Sequence, residues 1–486
     1  SVSSDDYARS AIITPSPSVV LNSAPTRQPS GPTVPFTRSS SSSPRSALRV
    51  VKVARPAGRG ANPDTSASLS RLPADSLAYS LRLAATTIAA VRCGASLTLA
   101  LARLAGEPPG ARAAAQELAY GALRCHGRGD FILARLLERA LPHAETEALL
   151  LAAIYRLQTR PEAAHTVVDQ AVAAAGEMAN GAFRGLVNGV LRNYLRCRDE
   201  LHAALAEDEP AACQHPQWWL DRLRRAYPEH WREIVAINNG QPPMTLRVNQ
   251  RRTTLATYCA LLHAAGLSAR PAGGHALILA RPVPIEALPG FAEGLVSIQD
   301  VGAQRATELL APVTGERILD ACAAPGGKST HLLEAADIDL LALDIDEIRT
   351  QRIAQNLDRL GLSATVKAGD CLLPATWWDG RPFDAILADV PCTASGVVRR
   401  HPDIKLLRRA SDIRLFSHRQ AAILDRLWPL LKVAGRLLYT TCSVFPEENA
   451  AQIDAFLVRQ PAARRLCEER LLPCDEHDGF YHALLQ

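Results

Sequence analysis

The spacing of apolar residues changes along the chain and divides it into regions of different predicted structure. From residue 75 to residue 205 the apolar positions recur at helical intervals, as in Leu97, Leu101 and Leu104 and again within residues 186–191. A stripe with this period is typical of helices that bury one face. Residues 75–205 are therefore predicted to form a compact all-helical domain.

Short strand-like runs and one helical stretch are mixed within residues 214–300. The runs lie in the segment 244–285, and residues 254–265 carry the helical pattern. A mixture of this kind over so short a segment predicts only a small mixed domain.

Residues 301–486 contain short apolar runs that alternate with helical stretches. The runs are residues 317–321, 340–343, 365–366, 383–388 and 436–440. This order is typical of a mostly parallel sheet with helices on both faces, so an α/β fold class is predicted. Ligands of such sheets bind at the carboxyl ends of the strands.

The first 70 residues differ from the rest in composition. They are rich in Ser, Pro and Arg, and residues 39–43 are an uninterrupted serine run. Because such a segment cannot bury enough apolar surface to offset its ordering entropy, residues 1–70 are predicted to be a disordered tail. Their Arg- and Ser-rich, acid-poor composition also leaves a transit peptide open as an alternative.

Net charge says little about a partner, because the excess is concentrated in the tail. The formal net charge of the chain is +5, and residues 1–60 alone hold eight Lys or Arg and two Asp. A nucleic-acid surface would therefore depend on local basic clusters, such as residues 222–225 and 399–401.

Cysteine usage bears on the compartment. The eleven cysteines are scattered without a CxxC pair. This distribution predicts free thiols in a reducing cytoplasm rather than disulfides or a metal site. No apolar run reaches the roughly 18 residues that a spanning helix needs, so no membrane association is expected.

A glycine turn follows the first apolar run of the α/β region. Gly326 and Gly327 let the backbone approach a ligand closely, and the helix that begins near Ser329 favours a carboxylate or phosphate at its N-terminus. A phosphate loop would need glycine where Cys322 stands, so that pattern fails. Asp344 ends the next run, where an acidic side chain can accept both hydroxyls of a ribose, and Asp346 is its competitor.

Two cysteines follow later apolar runs onto the same predicted sheet edge. Cys392 stands in Asp389-Val390-Pro391-Cys392, and Cys442 stands in Thr440-Thr441-Cys442-Ser443. A thiolate at a ligand-bearing edge can add to an electron-poor ring and so divide a difficult substitution into easier steps. The alternative is that they are small buried hydrophobes, which we expect for most of the other cysteines.

These motifs resemble a known enzyme family. Residues 320–328, 389–392 and 441–449 resemble the RNA 5-methylcytosine methyltransferases of the RsmB/NOP class, most closely the bacterial branch that acts on 16S rRNA. Residues 164–196 resemble the NusB antitermination-factor family, which implies an RNA-binding helical module. Together the resemblance covers residues 75–486.

The resemblance implies that residues 214–300 are a connector and a small α+β subdomain that helps to hold the RNA, and that residues 301–486 form a Rossmann-like catalytic domain. It also implies S-adenosylmethionine as cofactor, 16S rRNA as partner and a monomeric cytoplasmic enzyme. It implies that Cys442 is the nucleophile and that Cys392 assists release, although DNA cytosine methyltransferases use the cysteine of the Pro-Cys motif as nucleophile. Asp389 would hydrogen-bond the base. The implied cofactor-binding residues are Cys322, Ala323, Ala324, Pro325, Gly326, Gly327 and Lys328 at the methionine end, Asp344 at the ribose, Asp370 near the adenine and Asp389 at the reactive end.

Two basic groups are candidate RNA contacts. Arg184 and Arg192 lie on one polar helical line, which an ordinary solvated face would also produce. Arg399, Arg400 and His401 follow the Pro-Cys motif and resemble the substrate-side loop of the family, with a plain surface turn as the alternative.

Three further points remain open at the level of sequence. Glu447 and Glu448 are interpreted as favourable charges in the first turn of a helix. Val390 and residues 433–435 depart from the family pattern without removing a reactive group. The rival functions are an RNA-binding module with a degenerate enzyme domain and a methyltransferase of another substrate class, such as tRNA or protein.

Overall fold

The computed structural model describes residues 51–52 and 71–486, and the chain divides between Gln214 and His215 into two compact units. Of the predicted tail, residues 51 and 52 are described, and Val51 forms an isolated bridge with Leu137. The remainder of that prediction lies outside the described residues. In the ranges 51–52 and 71–486 no helix has the length and hydropathy needed to cross a bilayer.

The first unit is helical, as predicted. Its helices are α1 (Leu77–Arg92), α2 (Leu97–Ala102), α3 (Pro109–Arg124), α4 (His126–Leu136), α5 (Ala144–Thr159), α6 (Ala164–Glu177), α7 (Arg184–Arg196), α8 (Arg198–Ala206) and α9 (Glu209–Cys213). Helix α1 packs against α3, α5 and α6, which makes it the centre of the core. The side chain of Ser76 caps α1 by accepting a hydrogen bond from the backbone N–H of Tyr79.

The second unit begins with two helices and a small antiparallel sheet. Helices α10 (Gln217–Ala226) and α11 (Trp231–Asn239) precede strands β1 (Thr245–Val248), β2 (Ala269–Pro271), β3 (Ala276–Leu279) and β4 (Val296–Ile298), in the order β2-β3-β1-β4. Helix α12 (Leu255–Ala264) packs Tyr258 and Leu262 into the core of this sheet. The small α+β arrangement agrees with the sequence pattern.

A seven-stranded sheet forms the rest of the second unit, in the order β10-β11-β9-β8-β5-β6-β7. Strands β5 to β9 are parallel, which confirms the predicted α/β class, and β10 and β11 add an antiparallel edge. The strands are β5 (Arg317–Asp320), β6 (Asp339–Asp344), β7 (Thr365–Ala368), β8 (Phe383–Asp389), β9 (Leu431–Thr441), β10 (Arg465–Leu471) and β11 (Phe480–Leu485). The helices are α13 (Val301–Leu310), α14 (Gly327–Ala335), α15 (Glu347–Leu360), α16 (Ile404–Leu407), α17 (Ala410–Leu427) and α18 (Ala450–Arg459).

The central strands read as continuous apolar runs because both faces of the sheet are covered. Ile318 belongs to the core under α13, α14 and α15, whereas its neighbour Leu319 belongs to the core under α17 and α18. Successive side chains of a strand point to opposite faces, so a strand buried on both sides shows no alternation.

The sequence analysis did not predict β10 and β11. Strand β10 has the sequence RLCEERL and is largely exposed, so it contains no apolar run that would mark a strand. Its pairing with β11, rather than its own composition, makes it a strand.

A buried arginine joins the small sheet to the large one. Arg247 of β1 is 1% exposed and forms a bidentate ion pair with Glu334 of α14, at 2.9 and 2.7 Å. It also donates to the side chains of Gln299 and Thr330 and, at 2.7 Å, to the backbone oxygen of Gly327. The glycine turn at the start of α14 is therefore fixed from the neighbouring subdomain.

We expect Arg247→Met to lower the free energy of unfolding by about 3–5 kcal/mol, because it leaves the Glu334 carboxylate buried and unpaired. The matched control is Arg251→Met, since Arg251 pairs with the exposed Asp337 and its loss should cost about 1 kcal/mol or less. Urea unfolding followed by circular dichroism measures both. Equal effects of the two substitutions would contradict the assignment.

Candidate active site

Acidic residues and thiols gather at the carboxyl ends of the parallel strands, as predicted. Asp320 ends β5, Asp344 ends β6 and Asp389 ends β8, while Cys442 directly follows β9. Because parallel strands end at one edge, these side chains share one side of the sheet.

The glycine turn between β5 and α14 is fixed by side chains that bind its backbone. Asp344 accepts a hydrogen bond from the backbone N–H of Ala324 at 3.0 Å. Arg349 donates to the backbone oxygen of Ala324 at 2.8 Å, and Asn356 donates to that of Pro325 at 2.9 Å. Gly326 has φ +98°, and an added Cβ would lie 3.1 Å from the Cα of Ile353, so only glycine fits there without strain.

Asp344 and Asp346 have different surroundings. Asp344 is 3% exposed and lies beside the glycine turn, and burial raises its pKa while Arg349, at 3.5 Å, lowers it. Asp346 instead caps α15 by accepting hydrogen bonds from the backbone N–H groups of Ile348 and Arg349. This geometry favours Asp344 as the acidic ligand.

Asp370 lies in the loop after β7. The preceding residue, Gly369, donates its backbone N–H to the backbone oxygen of Asp344 at 2.8 Å, which brings the loop against the end of β6. One carboxylate oxygen of Asp370 accepts from the backbone N–H of Leu372 at 2.9 Å. Asp370 therefore stabilises its own turn. Its loop lies beside Asp344, and the contact of Asp370 with the adenine stays a prediction.

Lys328 and Asp389 form a close ion pair between the glycine turn and β8. The ammonium lies 2.5 Å from the carboxylate, and Lys328 is 7% exposed. Burial lowers the pKa of Lys328, but the charge and hydrogen bond of Asp389 outweigh burial, so that its pKa is raised. Lys328 is therefore a buried cation directed at the site.

Asp320 is a buried carboxyl group beside this pair. It accepts a hydrogen bond from the Ser329 hydroxyl at 2.6 Å, while its other oxygen has no hydrogen-bond partner among the described residues. Burial raises the pKa of Asp320 to about 7, opposed by Ser329 and assisted by the charge of Asp389.

The two predicted thiols are in contact. The sulfur atoms of Cys392 and Cys442 lie 3.4 Å apart, and their residues are 5% and 9% exposed. The hydrogen bond to Cys442, then burial and the charge of Cys442, raise the pKa of Cys392 well above its ordinary value. Cys392 is thus held as a thiol.

Close backbone contact fixes the loop behind the thiols. Gly396 donates its backbone N–H to the oxygen of Cys442 at 2.8 Å, and the backbone N–H of Gly479 donates to the oxygen of Gly396 at 2.9 Å. A Cβ on Gly396 would lie 2.2 Å from the Gly479 oxygen, so no other residue fits.

Glu448 is a site residue that the sequence analysis missed. It lies in the 3-10 turn Pro446–Glu448 together with Glu447. Glu447 is exposed and pairs with Arg222. Glu448, by contrast, is 0% exposed and accepts hydrogen bonds from the two loops that carry the thiols. Both glutamates lie in a first turn, as interpreted from the sequence, but the burial of Glu448 and its contacts were not predicted, because its neighbours along the sequence do not reveal what packs over the turn.

The basic loop after Cys392 is a structural ion-pair cluster. Arg399 is 2% exposed and pairs with Asp478, and His401 is 2% exposed. Arg400 pairs with Asp478 and, at 2.8 Å, with Asp300. The side chains of Arg399 and His401 are thus buried, and Arg400 neutralises two buried carboxylates. The contact of this loop with the RNA backbone stays a prediction, which the burial of these side chains disfavours.

The basic line on α7 has the predicted geometry. Arg184 and Arg192 are exposed, and Arg192 donates to the Asn188 side chain at 2.9 Å. Val190, on the opposite side of the helix, is buried. This exposure is compatible with RNA contact and with a solvated face.

Three protein-family models match consecutive parts of the chain: one lies in the first unit and two lie in the second. The NusB family matches residues 80–196, the ferredoxin-like domain of RsmF/B-like methyltransferases matches residues 215–286, and 16S rRNA methyltransferase RsmB/F matches residues 307–486. A ribosomal RNA small subunit methyltransferase B of Salmonella arizonae is 44% identical over 387 residues, which cover 77% of this chain and 90% of that protein. The chain belongs to this methyltransferase family. The resemblance deduced from the motifs is thereby confirmed.

Further relatives support the assignment. The protein of the same name from Vibrio cholerae is 44% identical over 382 residues, covering 76% of this chain and 88% of that protein. The crystal structure of PH0851 matches with a TM-score of 0.72 at 21% identity, covers 86% of this chain and 99% of that one, and shows the fold. The family is dependent on S-adenosylmethionine, which is accordingly the cofactor of this chain.

The raised pKa of Asp320 predicts a pH dependence of stability. Since the folded-state pKa of about 7 exceeds the ordinary value of 3.8, the bound proton stabilises the fold fully below about pH 4, and this contribution is lost as the pH rises through 7. Asp320→Asn should therefore gain stability relative to the wild type between about pH 5 and pH 8, by about 3 kcal/mol.

Urea midpoints at the two pH values measure this difference. Asp339→Asn, at the exposed start of β6, is the control and should follow the wild type. An Asp320→Asn protein whose stability changes with pH in parallel with the wild type would refute the raised pKa.

Proposed function

We propose that this chain transfers a methyl group from S-adenosylmethionine to C5 of a cytosine in 16S rRNA through a covalent bond between Cys442 and C6. The observation that carries the proposal is the contact of Cys392 and Cys442, 3.4 Å apart at the carboxyl edge of the sheet, beside the Lys328–Asp389 pair. The family match supports the rRNA substrate.

The residues around the glycine turn fit the cofactor. Gly326 and Gly327 permit close approach of a ligand, the N-terminus of α14 favours its carboxylate, and Asp344 is a buried acceptor for the ribose hydroxyls. The unpartnered oxygen of Asp320 gives the pocket a further polar acceptor. S-adenosylmethionine, when bound there, supplies the electrophilic methyl group for C5.

The thiols carry the covalent chemistry on the base. The Cys442 thiolate forms a bond to C6, and the electrons of the C5–C6 double bond move onto C5, which becomes nucleophilic. Asp389 hydrogen-bonds the base and orients the ring. After methylation C5 gives up its proton to a base, the double bond re-forms, and the bond between sulfur and C6 breaks to return the Cys442 thiolate. Cys392, beside the leaving sulfur, assists this release.

A cytosine in a paired helix hides C6, so the target nucleotide must be flipped out or lie in an unpaired segment. Arg184 and Arg192 on the exposed face of α7 are the proposed contacts of the helical unit with the rRNA backbone.

Asp344→Asn should weaken S-adenosylmethionine binding by about tenfold or more, because the amide cannot accept both ribose hydroxyls and the loss of a charged hydrogen bond costs about 1.5–3 kcal/mol. Isothermal titration calorimetry measures the affinity. Asp346→Asn, which alters only a helix cap, should change it by about threefold or less. Equal weakening by the two substitutions would contradict the assignment of the ribose to Asp344.

Methyl transfer tests the thiol roles directly. With tritiated S-adenosylmethionine and unmodified 16S rRNA, Cys442→Ala should lose transfer to the background level, and Cys392→Ala should accumulate a covalent protein–RNA adduct because release is impaired. The control Cys93→Ala alters an exposed cysteine of the helical unit and should transfer normally.

Digestion of the labelled RNA to nucleosides should place the tritium in 5-methylcytidine. An adduct that accumulates in Cys442→Ala would reverse the two thiol roles. No transfer by the wild type to free rRNA or to small-subunit particles would favour an RNA-binding protein with an inactive catalytic domain.

A further inference from the structure

Glu448 is a fully buried carboxylate with an unusual number of donors. Its Oε1 atom accepts from the backbone N–H of Thr393 at 2.8 Å and from the Gln420 amide at 3.2 Å. Its Oε2 atom accepts from the hydroxyls of Thr393 and Ser443, the latter at 2.6 Å. Burial raises the pKa of Glu448, and these hydrogen bonds oppose the rise.

The donors link Glu448 to both thiols. Thr393 directly follows Cys392, and Ser443 directly follows Cys442. Through Thr393 and Ser443 one carboxylate binds the two loops that carry the sulfur atoms. The 3.4 Å distance between the sulfur atoms thus depends on a side chain that touches neither of them.

Charges of opposite sign act on the thiol pair. The charge of Glu448 contributes to the raised pKa of Cys392, after the hydrogen bond to Cys442, burial and the charge of Cys442. The charge of Cys442, in turn, is one of the interactions that raise the pKa of Lys328 against burial. Cys392 is therefore coupled to an anion and Cys442 to a cation.

The other charged and titratable groups near the pair are accounted for. Asp389 is paired with Lys328 at 2.5 Å. The Tyr439 hydroxyl donates to the backbone oxygen of Glu448, and Arg408 donates to the backbone oxygen of Thr393 at 3.2 Å. Among these groups, Glu448 is the carboxylate that binds both thiol loops.

We propose that Glu448 is a positioning residue for the thiol pair: it holds the two loops together, and its negative charge disfavours loss of the proton from Cys392, so that Cys442 is the thiol that reacts. The catalytic meaning of this assignment rests on the proposed function, in which Cys442 attacks the base. The distribution of the proton is a property of the protein itself and is measurable without RNA.

The test compares Glu448→Gln with Glu447→Gln. Both remove one negative charge from the same turn, but Glu447 is exposed and binds Arg222 instead of the thiol loops. The full-length proteins are treated with iodoacetamide from about pH 6 to pH 10, which spans the ordinary range of thiol pKa values. Peptide mass spectrometry then gives the labelling rates of Cys392 and Cys442.

In the wild type and in Glu447→Gln, we expect Cys442 to be labelled first and Cys392 only at higher pH. In Glu448→Gln the onset for Cys392 should move down by about one pH unit, so that the preference for Cys442 falls about tenfold at a given pH. An unchanged preference in a folded Glu448→Gln protein would overturn the inference. Should this variant unfold, Glu448→Asp decides: its retained charge predicts preferential labelling of Cys442, and equal labelling would overturn the proposal.

Methyl transfer measured in parallel separates the two proposals. We expect Glu448→Gln to lower kcat by about tenfold without changing the KM for S-adenosylmethionine, because the thiolate population falls and the cofactor pocket is intact. A shift in labelling with no transfer by the wild type would contradict the proposed function alone. Normal transfer with unchanged labelling in Glu448→Gln would contradict the role of Glu448 alone.

Discussion

The parallel pairing of β8 with β9 is the constraint from which the site follows. Asp389 of β8 stands opposite Thr440 of β9, so residues 390–392 and residue 442 follow the two strands side by side. Cys392 and Cys442, fifty residues apart in the chain, meet because of this register. A register shift of one residue would reverse the face of each side chain and separate the thiols.

The neighbouring edge of the sheet depends on buried ionic contacts. Arg247 reaches from the small sheet to Glu334 and to the Gly327 oxygen, while Asp344 and Arg349 hold the preceding backbone. A glycine turn alone is conformationally free, and these contacts fix one of its conformations. The proposed cofactor pocket is thus preorganised by residues that lie outside the glycine motif.

The two thiols have different electrostatic surroundings. Both are buried. The charge of Cys442 helps to raise the pKa of Lys328, whereas the hydrogen bond to Cys442, burial, the charge of Cys442 and the nearby carboxylate of Glu448 raise the pKa of Cys392 and keep it neutral. Similar side chains are distinguished by the charges around them, a pattern that recurs in sites where acid and base roles are divided.

The sequence alone determined the α/β class, the helical and mixed regions before it, and the motif residues at the strand ends. The period of apolar residues and the short glycine and cysteine motifs depend on neighbouring residues in the chain, so they can be recognised without a structure. Tertiary structure alone revealed the pairing of β10 with β11, the burial of Arg399 and His401, and the contacts of Glu448. Each of these depends on what packs against a segment from elsewhere in the chain, and long-range pairing leaves no local pattern.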